Sequence, residues 1–289
     1  MSYVITGAAG NLGRRTAQLM LERVDATELV LVTRRPDELA DLAGRGAEVR
    51  RADFDSPESL APAFAGGERL LLISTDVVGQ RVAGHKAAID AAAAAGVRHV
   101  AYTSIPNPTD ANPAGVVPDH RATEEHLAAS GLEWTFLRDG LYSEYRIPEA
   151  QAAVASGMFR HNQGDGRTAY VSREDCAAAA AAVLAGGDEH SGRAYDITGP
   201  ELIGAAELAQ LYSEAGGKPV EAVNVADADF IDGLVAAGLP RGVGELLASF
   251  GAAIRGGQLD QLSSDVQDLT GHAPTPLSAV LAHAFAGAA

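Results

Sequence analysis

The chain has 289 residues, 47% hydrophobic and 21% charged, enough for one large domain or a large domain with a smaller appendage. Its net charge of −16, from 22 basic and 38 acidic side chains, excludes nucleic acid as a general partner, because a field of that sign repels phosphates; a local basic pair can still hold one phosphate. The lone Cys176 forms no internal disulfide and lacks the neighbours of a metal site, so it reads as a small core residue in the helical run 173–184. With no signal-peptide pattern and no 18-residue apolar stretch, the expected location is the cytoplasm, away from any membrane.

Residues 3–6 make a short apolar run, and a Gly-rich turn then opens a helix expected from Asn11 to Arg23. Residues 28–33 are the next β-branched run, and Pro36 opens a helix where its fixed φ suits the first turn. A third strand is expected over 47–51, with a helix after Ser56-Pro57. Residues 69–74 are apolar in the manner of a parallel strand covered on both faces. An Ala-rich helix ends at Gly96, 97–103 is a fifth strand, 119–129 a helix and 133–137 a sixth strand. Six strands alternating with helices predict an α/β fold: a doubly wound parallel Rossmann sheet with helices on both faces. Beyond Arg138 the alternation loosens into a helix over 149–156, a strand over 168–171, a helix over 173–185, a strand over 195–198, a helix over 205–215 and broken helical segments.

Gly7, Gly10 and Gly13 follow the first strand directly and open the first helix. Glycines at this spacing give a tight turn, a close backbone approach to a pyrophosphate and close helix–strand packing. The pyrophosphate then sits at a helix N-terminus, where free N–H groups and the dipole favour negative charge. Twenty residues on, a site for NAD carries Asp or Glu for the ribose hydroxyls; this chain has Thr33-Arg34-Arg35. Guanidinium groups bind a 2′-phosphate by charge-assisted hydrogen bonds, which favours NADPH. Asp53 and Phe54, just past strand three, are placed to contact the adenine, although Asp53 equally suits a cap for the helix near Pro57. The expected division is an NAD(P)-binding domain over 1–140 and a smaller substrate lobe over 141–289, interleaved with the sheet edge and not folding alone.

A Tyr acid with a Lys four residues on is absent from the fifth-strand helix, where the chain reads Val116-Val117-Pro118-Asp119-His120. Reducing an unactivated ketone develops an alkoxide and calls for such an acid. A quinone or a cationic conjugated acceptor delocalises the incoming charge and needs mainly proximity and orientation. Ser104 follows strand five, and His120 suits either a donor to an oxyanion or ribose hydroxyl or a plain helix-surface residue. His85 and His126 read as packing or surface residues.

The stretches Thr6 to Gly13, Thr33-Arg34-Arg35-Pro36, Leu71 to Ser74, Ala101 to Ser104, His120 to Glu124, Phe136 to Tyr142, Ala169 to Arg173 and Tyr195 to Pro200 together resemble the NmrA-like branch of atypical short-chain dehydrogenase/reductases. Within it the chain is most similar to type-2 NADPH:quinone oxidoreductases and triphenylmethane reductases, over nearly its whole length. The resemblance implies that Gly7, Gly10, Asn11, Leu12 and Gly13 hold the pyrophosphate and Arg34 the 2′-phosphate, beside the Arg35 that the residue pattern adds as a candidate. It implies that Ile73, Ser74 and Thr75 lie beneath the nicotinamide ribose and that Thr103, Ser104 and His120 form the inner wall of the nicotinamide pocket. The segment Leu137 to Leu141 closes over that pocket, and Ser104, His120, Asp139 and Tyr142 are the candidate catalytic residues. Asp139 stands where quinone reductases of this group usually carry Asn, and a carboxylate there disfavours an anionic product. The expected activity is direct hydride transfer from NADPH, without flavin or metal, to a small quinone-like or triarylmethane acceptor. The competing expectation is a non-catalytic NADP(H)-binding sensor, since the missing Tyr-Lys pair suits both; an epimerase or ketoreductase would need the absent acid. Whether the chain works alone or as a homodimer is left open by the sequence.

Overall fold

A computed structural model describes residues 2–287. Its frame is a seven-stranded, wholly parallel sheet in the order β3-β2-β1-β4-β5-β6-β8. The strands are β1 (Tyr3–Ile5), β2 (Leu29–Thr33), β3 (Glu48–Arg51), β4 (Arg69–Leu72), β5 (His99–Ser104), β6 (Glu133–Asp139) and β8 (Arg193–Ile197). The chain winds outward from β1 to β3, then restarts at β4 on the other side of β1 and winds the opposite way. That reversal opens a crevice at the carboxyl ends of β1 and β4, which is where ligands of such sheets bind.

Helices cover both faces because the central strands β2, β4 and β5 are buried along their full length. On one face α1 (Asn11–Met20) packs against α7 (Arg173–Ala185), whose run of alanines 177–181 lets the two helices lie close while Leu12, Ala17 and Met20 fill the layer beneath. On the other face lie α3 (Leu60–Phe64), α4 (Arg81–Ala94) and α5 (Val117–Ala129), over a core of Val4, Val32, Phe64, Leu70, Val100, Tyr102 and Phe136. Cys176 is a buried free thiol in α7, as a core residue should be.

A smaller lobe is built from α6 (Arg146–Ser156), α8 (Ala205–Gly216), α12 (Leu277–Ala286) and a two-stranded parallel sheet of β7 (Met158–His161) and β9 (Glu221–Asn224). Phe159, Leu208, Tyr212, Leu277 and Leu281 form its core. Two further helices, α9 (Asp227–Ala236) and α10 (Arg241–Arg255), pack on each other beside it, and the short α11 (Asp265–Thr270) closes against α7 and β8. Both α7 and β8 come from beyond Gly140, so the later half of the chain completes the sheet that the first half begins.

Three local expectations differ. The first helix ends at Met20 rather than Arg23, because residues 21–24 turn back on Ala17, Leu19 and Met20 and Arg23 Nη1 donates to the Leu19 carbonyl. Residues 168–171 form no strand: Thr168 exchanges hydrogen bonds with Ile203 while Val171 bonds Leu141 and Ser143, so the segment divides its partners and no ladder runs. Strands β7 and β9, which pair only with each other outside the main sheet, were not anticipated.

Candidate functional site

The turn after β1 is shaped by sterics. Gly7 adopts φ +61°, a left-handed conformation open to glycine. A Cβ on Gly13 would stand 2.4 Å from the Gly7 carbonyl oxygen, so only hydrogen fits where α1 crosses the loop. Gly10 sits at the N-cap with no side-chain cap, and the first turn of α1, from Asn11 through Leu12 and Gly13, holds no acidic residue. Its free N–H groups and positive dipole end therefore face the crevice uncompensated, the condition a diphosphate needs.

At the end of β2, Arg34 and Arg35 are both exposed. Arg35 pairs with Glu38 at 2.7 Å, whereas the Arg34 guanidinium has no protein partner among the described residues. The two arginines are thus unequal, and Arg34 is the one available to a phosphate. Asp53 does not cap the following helix; its Oδ1 accepts the Asp55 N–H at 3.2 Å within its own turn. Phe54 is half-buried against α4, its Cβ 3.0 Å from where a side chain on Gly84 would begin, with its ring edge-on to His85.

The segment after β4 is stitched to its neighbours by threonines. The Ile73 N–H donates to Thr6 Oγ1 at 3.0 Å and the Ser74 N–H to Thr103 Oγ1 at 2.9 Å. The Thr75 N–H donates to His85 Nε2 at 3.1 Å. Beyond Thr75 a buried ion pair holds the loop: Arg81 Nε meets Asp119 at 3.0 Å, the side chains being 5% and 8% exposed. The same carboxylate accepts the Gly79 N–H at 2.6 Å, and Arg81 Nη1 donates to the Thr75 carbonyl at 2.8 Å. The first turn of α5 and the β4–α4 loop are in this way locked to one another.

Ser104, at the end of β5, is buried with an Oγ that has no hydrogen-bond partner. An orphaned buried hydroxyl costs about 1–3 kcal/mol, a cost that a ligand oxygen would remove. Leu137 lies opposite Thr103 in the β5–β6 register, fully buried. His120 is buried and its Nδ1 lies 2.9 Å from the Tyr102 hydroxyl; burial, aided by Arg81 and His85, drives its pKa well below 6.5, so it is neutral. His126 is a surface residue, its Nε2 2.8 Å from Asp90, but His85 is no mere packing residue: it joins Thr75 and Thr123.

At the end of β6, the Tyr142 hydroxyl donates to Asp139 Oδ2 at 3.0 Å. Burial pushes the Asp139 carboxyl up to about 7, with Tyr142 and Cys176 opposing through hydrogen bonds. The carboxyl is therefore only partly ionised at neutral pH, and it does not place in the site the full charge that its residue type implies. Arg173, at the start of α7, lies 5.2 Å from the Tyr142 ring centroid and 4.9 Å from that of the exposed Tyr145. The backbone N–H of Arg173 is taken by Glu144, so the stack is fixed from below. Arg81, Asp119, Tyr102, Thr123 and Arg173 were all missed in the sequence. Only Tyr102 carried a signal, standing two residues before Ser104 and hence on the same strand face.

Two clefts of about 530 and 400 Å³ open elsewhere, in the smaller lobe around Gly164, Asp165 and Arg167. The groups described above lie instead at the carboxyl ends of the strands of the main sheet. Among the described residues no cluster of metal-ligating side chains occurs and no helix is long and apolar enough to cross a membrane.

A reversing parallel sheet, a glycine turn under a bare helix N-terminus and a free arginine after β2 define a dinucleotide-binding Rossmann protein. The chain belongs to the NAD(P)H-binding family, whose signature matches residues 7–186, in its NmrA-like branch. It is 39% identical over 282 residues to quinone oxidoreductase 2 of Escherichia coli strain K12, covering 97% of this chain and 98% of that one. The crystal structure of an NADPH-dependent quinone oxidoreductase from Escherichia coli, complexed with NADPH, superposes with a TM-score of 0.94 at 38% identity, over 98% of this chain and 99% of that one. The triphenylmethane reductase of Citrobacter sp., complexed with NADP(H), superposes with a TM-score of 0.92 at 34% identity, over 98% of this chain and all of the other.

Proposed function

We propose that this chain is an NADPH-dependent oxidoreductase that passes hydride directly to a quinone or similar conjugated acceptor, triarylmethane dyes included, without flavin or metal. The observation that carries the reading is a dinucleotide cradle opening onto a pocket wall that offers hydrogen-bonding groups but no Tyr-Lys acid pair. When bound, NADPH supplies the hydride. Segment 1–140 holds the cofactor and segment 141–289 furnishes the acceptor lobe, in a cytoplasmic enzyme.

Gly7, Gly10, Asn11, Leu12 and Gly13 bind the diphosphate through backbone N–H groups, and Arg34 binds the 2′-phosphate with Arg35 beside it. Asp53 and Phe54 flank the adenine. Ile73, Ser74 and Thr75 support the nicotinamide ribose, and Thr103, Ser104, His120 and Leu137 form the wall behind the ring. Ser104 Oγ, lacking a protein partner, binds an acceptor oxygen. Hydride addition to a quinone leaves a hydroquinone monoanion that needs one proton to balance. The proton comes from the protonated Asp139 carboxyl, near 7, relayed through the Tyr142 hydroxyl, which gives up its own proton only as it takes the one from Asp139, because burial holds the tyrosine well above 10.

A spectrophotometric screen of NADPH oxidation against neutral naphthoquinones and cationic triphenylmethane dyes tests this. Acceptor-dependent oxidation is expected for the quinones. Tight NADPH binding with no turnover on any member of the panel would replace the enzyme by an NADP(H)-binding sensor.

A further inference from the structure

The hydrogen bonds around His120 can be traced from a backbone amide, and they decide which of its nitrogens carries the proton. The Thr75 N–H is a donor only, so His85 Nε2, 3.1 Å away, is the acceptor and the His85 proton sits on Nδ1. His85 Nδ1 lies 3.1 Å from Thr123 Oγ1, and Thr123 spends its own hydroxyl proton on the Asp119 carbonyl at 2.8 Å. Thr123 is thus the acceptor for His85. The Tyr102 hydroxyl lies 3.5 Å from His85 Nδ1, which already bears a proton, and 2.9 Å from His120 Nδ1. Tyr102 also contacts Thr123, but the Thr123 oxygen already takes the His85 proton, so the arrangement that best uses the short contact has Tyr102 donating to His120, which leaves the His120 proton on Nε2.

We propose that Tyr102 is a positioning residue that fixes His120 as a neutral Nε2–H donor for an oxygen lone pair at the nicotinamide end of the site. Every link runs through buried side chains: Tyr102, His85, Thr123 and His120 are all shielded from water, so no solvent competes for the protons. His120 Nε2 makes no hydrogen bond among the described residues and keeps some access to solvent, so it is open to a ligand, and Tyr102 shares its strand face with the orphaned Ser104 hydroxyl. A neutral imidazole N–H polarises an oxygen without giving up its proton, which suits a site that must hold an oxygen rather than act as a strong acid. The oxygen is a ribose hydroxyl of the cofactor or a carbonyl of the acceptor, and the inference rests on the proposal that the strand ends hold the nicotinamide.

Nitrogen-15 correlation spectra of the histidine-labelled full chain, without cofactor, read the tautomer directly, with His120→Gln supplying the assignment. In the wild type at neutral pH, His120 Nε2 is expected in the protonated range and Nδ1 in the bare range. In Tyr102→Phe, which keeps the ring and removes the donor, the two nitrogens are expected to move towards averaged values while the other histidines keep theirs. A wild-type His120 protonated on Nδ1, with Tyr102 then handing its proton to Thr123, would overturn the proposal and requires no variant to fold. So would a Tyr102→Phe spectrum in which His120 is unmoved. Adding NADP+ shifts the Nε2 signal if the oxygen belongs to the cofactor; a shift only after a naphthoquinone is added assigns it to the acceptor. A signal that neither ligand moves removes the donor role. Because the tautomer is read without turnover, it stands or falls separately from the acceptor screen.

Discussion

Replacing Arg34 by alanine isolates the group to which the proposed preference for a phosphorylated cofactor is assigned. The side chain is exposed and free of protein partners, whereas its neighbour Arg35 is engaged by Glu38. Truncation therefore removes no internal interaction, and the folding stability is expected to stay within about 0.5 kcal/mol of wild type, as for a surface substitution away from any cap or ion pair. What is lost is a charge-assisted hydrogen bond to a 2′-phosphate, worth about 1.5–3 kcal/mol. At about 1.36 kcal/mol per factor of ten, that is roughly a 10- to 150-fold fall in kcat/KM for NADPH. NADH has no 2′-phosphate, so its kcat/KM is expected to change less than about twofold. Initial rates of nicotinamide oxidation with each cofactor, at a fixed quinone concentration, measure both. An equal loss for the two cofactors would refute the reasoning, as would a wild type that uses NADH as well as NADPH.

Two further outcomes follow from buried groups. Asp119→Ala leaves the Arg81 guanidinium buried without its carboxylate and the Gly79 N–H without its acceptor, so a loss of about 3–5 kcal/mol in urea unfolding is expected. A loss below about 1 kcal/mol would mean that the pair is solvated. Asp139 has a folded-state pKa raised to about 7 against an unfolded value of about 3.9, so its contribution is fully present below pH 4 and is lost as pH rises through 7. Asp139→Asn is accordingly expected to gain stability relative to wild type between pH 5 and pH 8. The neutral buried His85 and His99, lowered to about 4 and about 3, act in the opposite direction in both proteins, their stabilisation being lost as pH falls from 6.5 towards those values. The difference between variant and wild type, read from melts at the two pH values, removes that background; a difference that does not grow with pH contradicts the assigned burial.

What the sequence determined by itself was local in origin. The order of apolar runs, Gly7, Gly10 and Gly13 between a strand and a helix, and Arg34 just after the second strand are short-range patterns, and they specify a Rossmann unit and the phosphate sites proposed for it, because each acts through its own backbone or its own free charge. The side chain of Arg34 needed no partner to be read. The tertiary structure decided everything that depends on residues distant in the chain. That Arg35 is paired, that Asp119 and Arg81 lock a loop, that Asp139 is partly protonated beneath Tyr142, and that His120 is neutral are consequences of burial and of neighbours up to tens of residues away. A carboxyl or an imidazole carries no fixed charge in a sequence; desolvation and the protons of its neighbours assign one only when the strands and helices have closed around it.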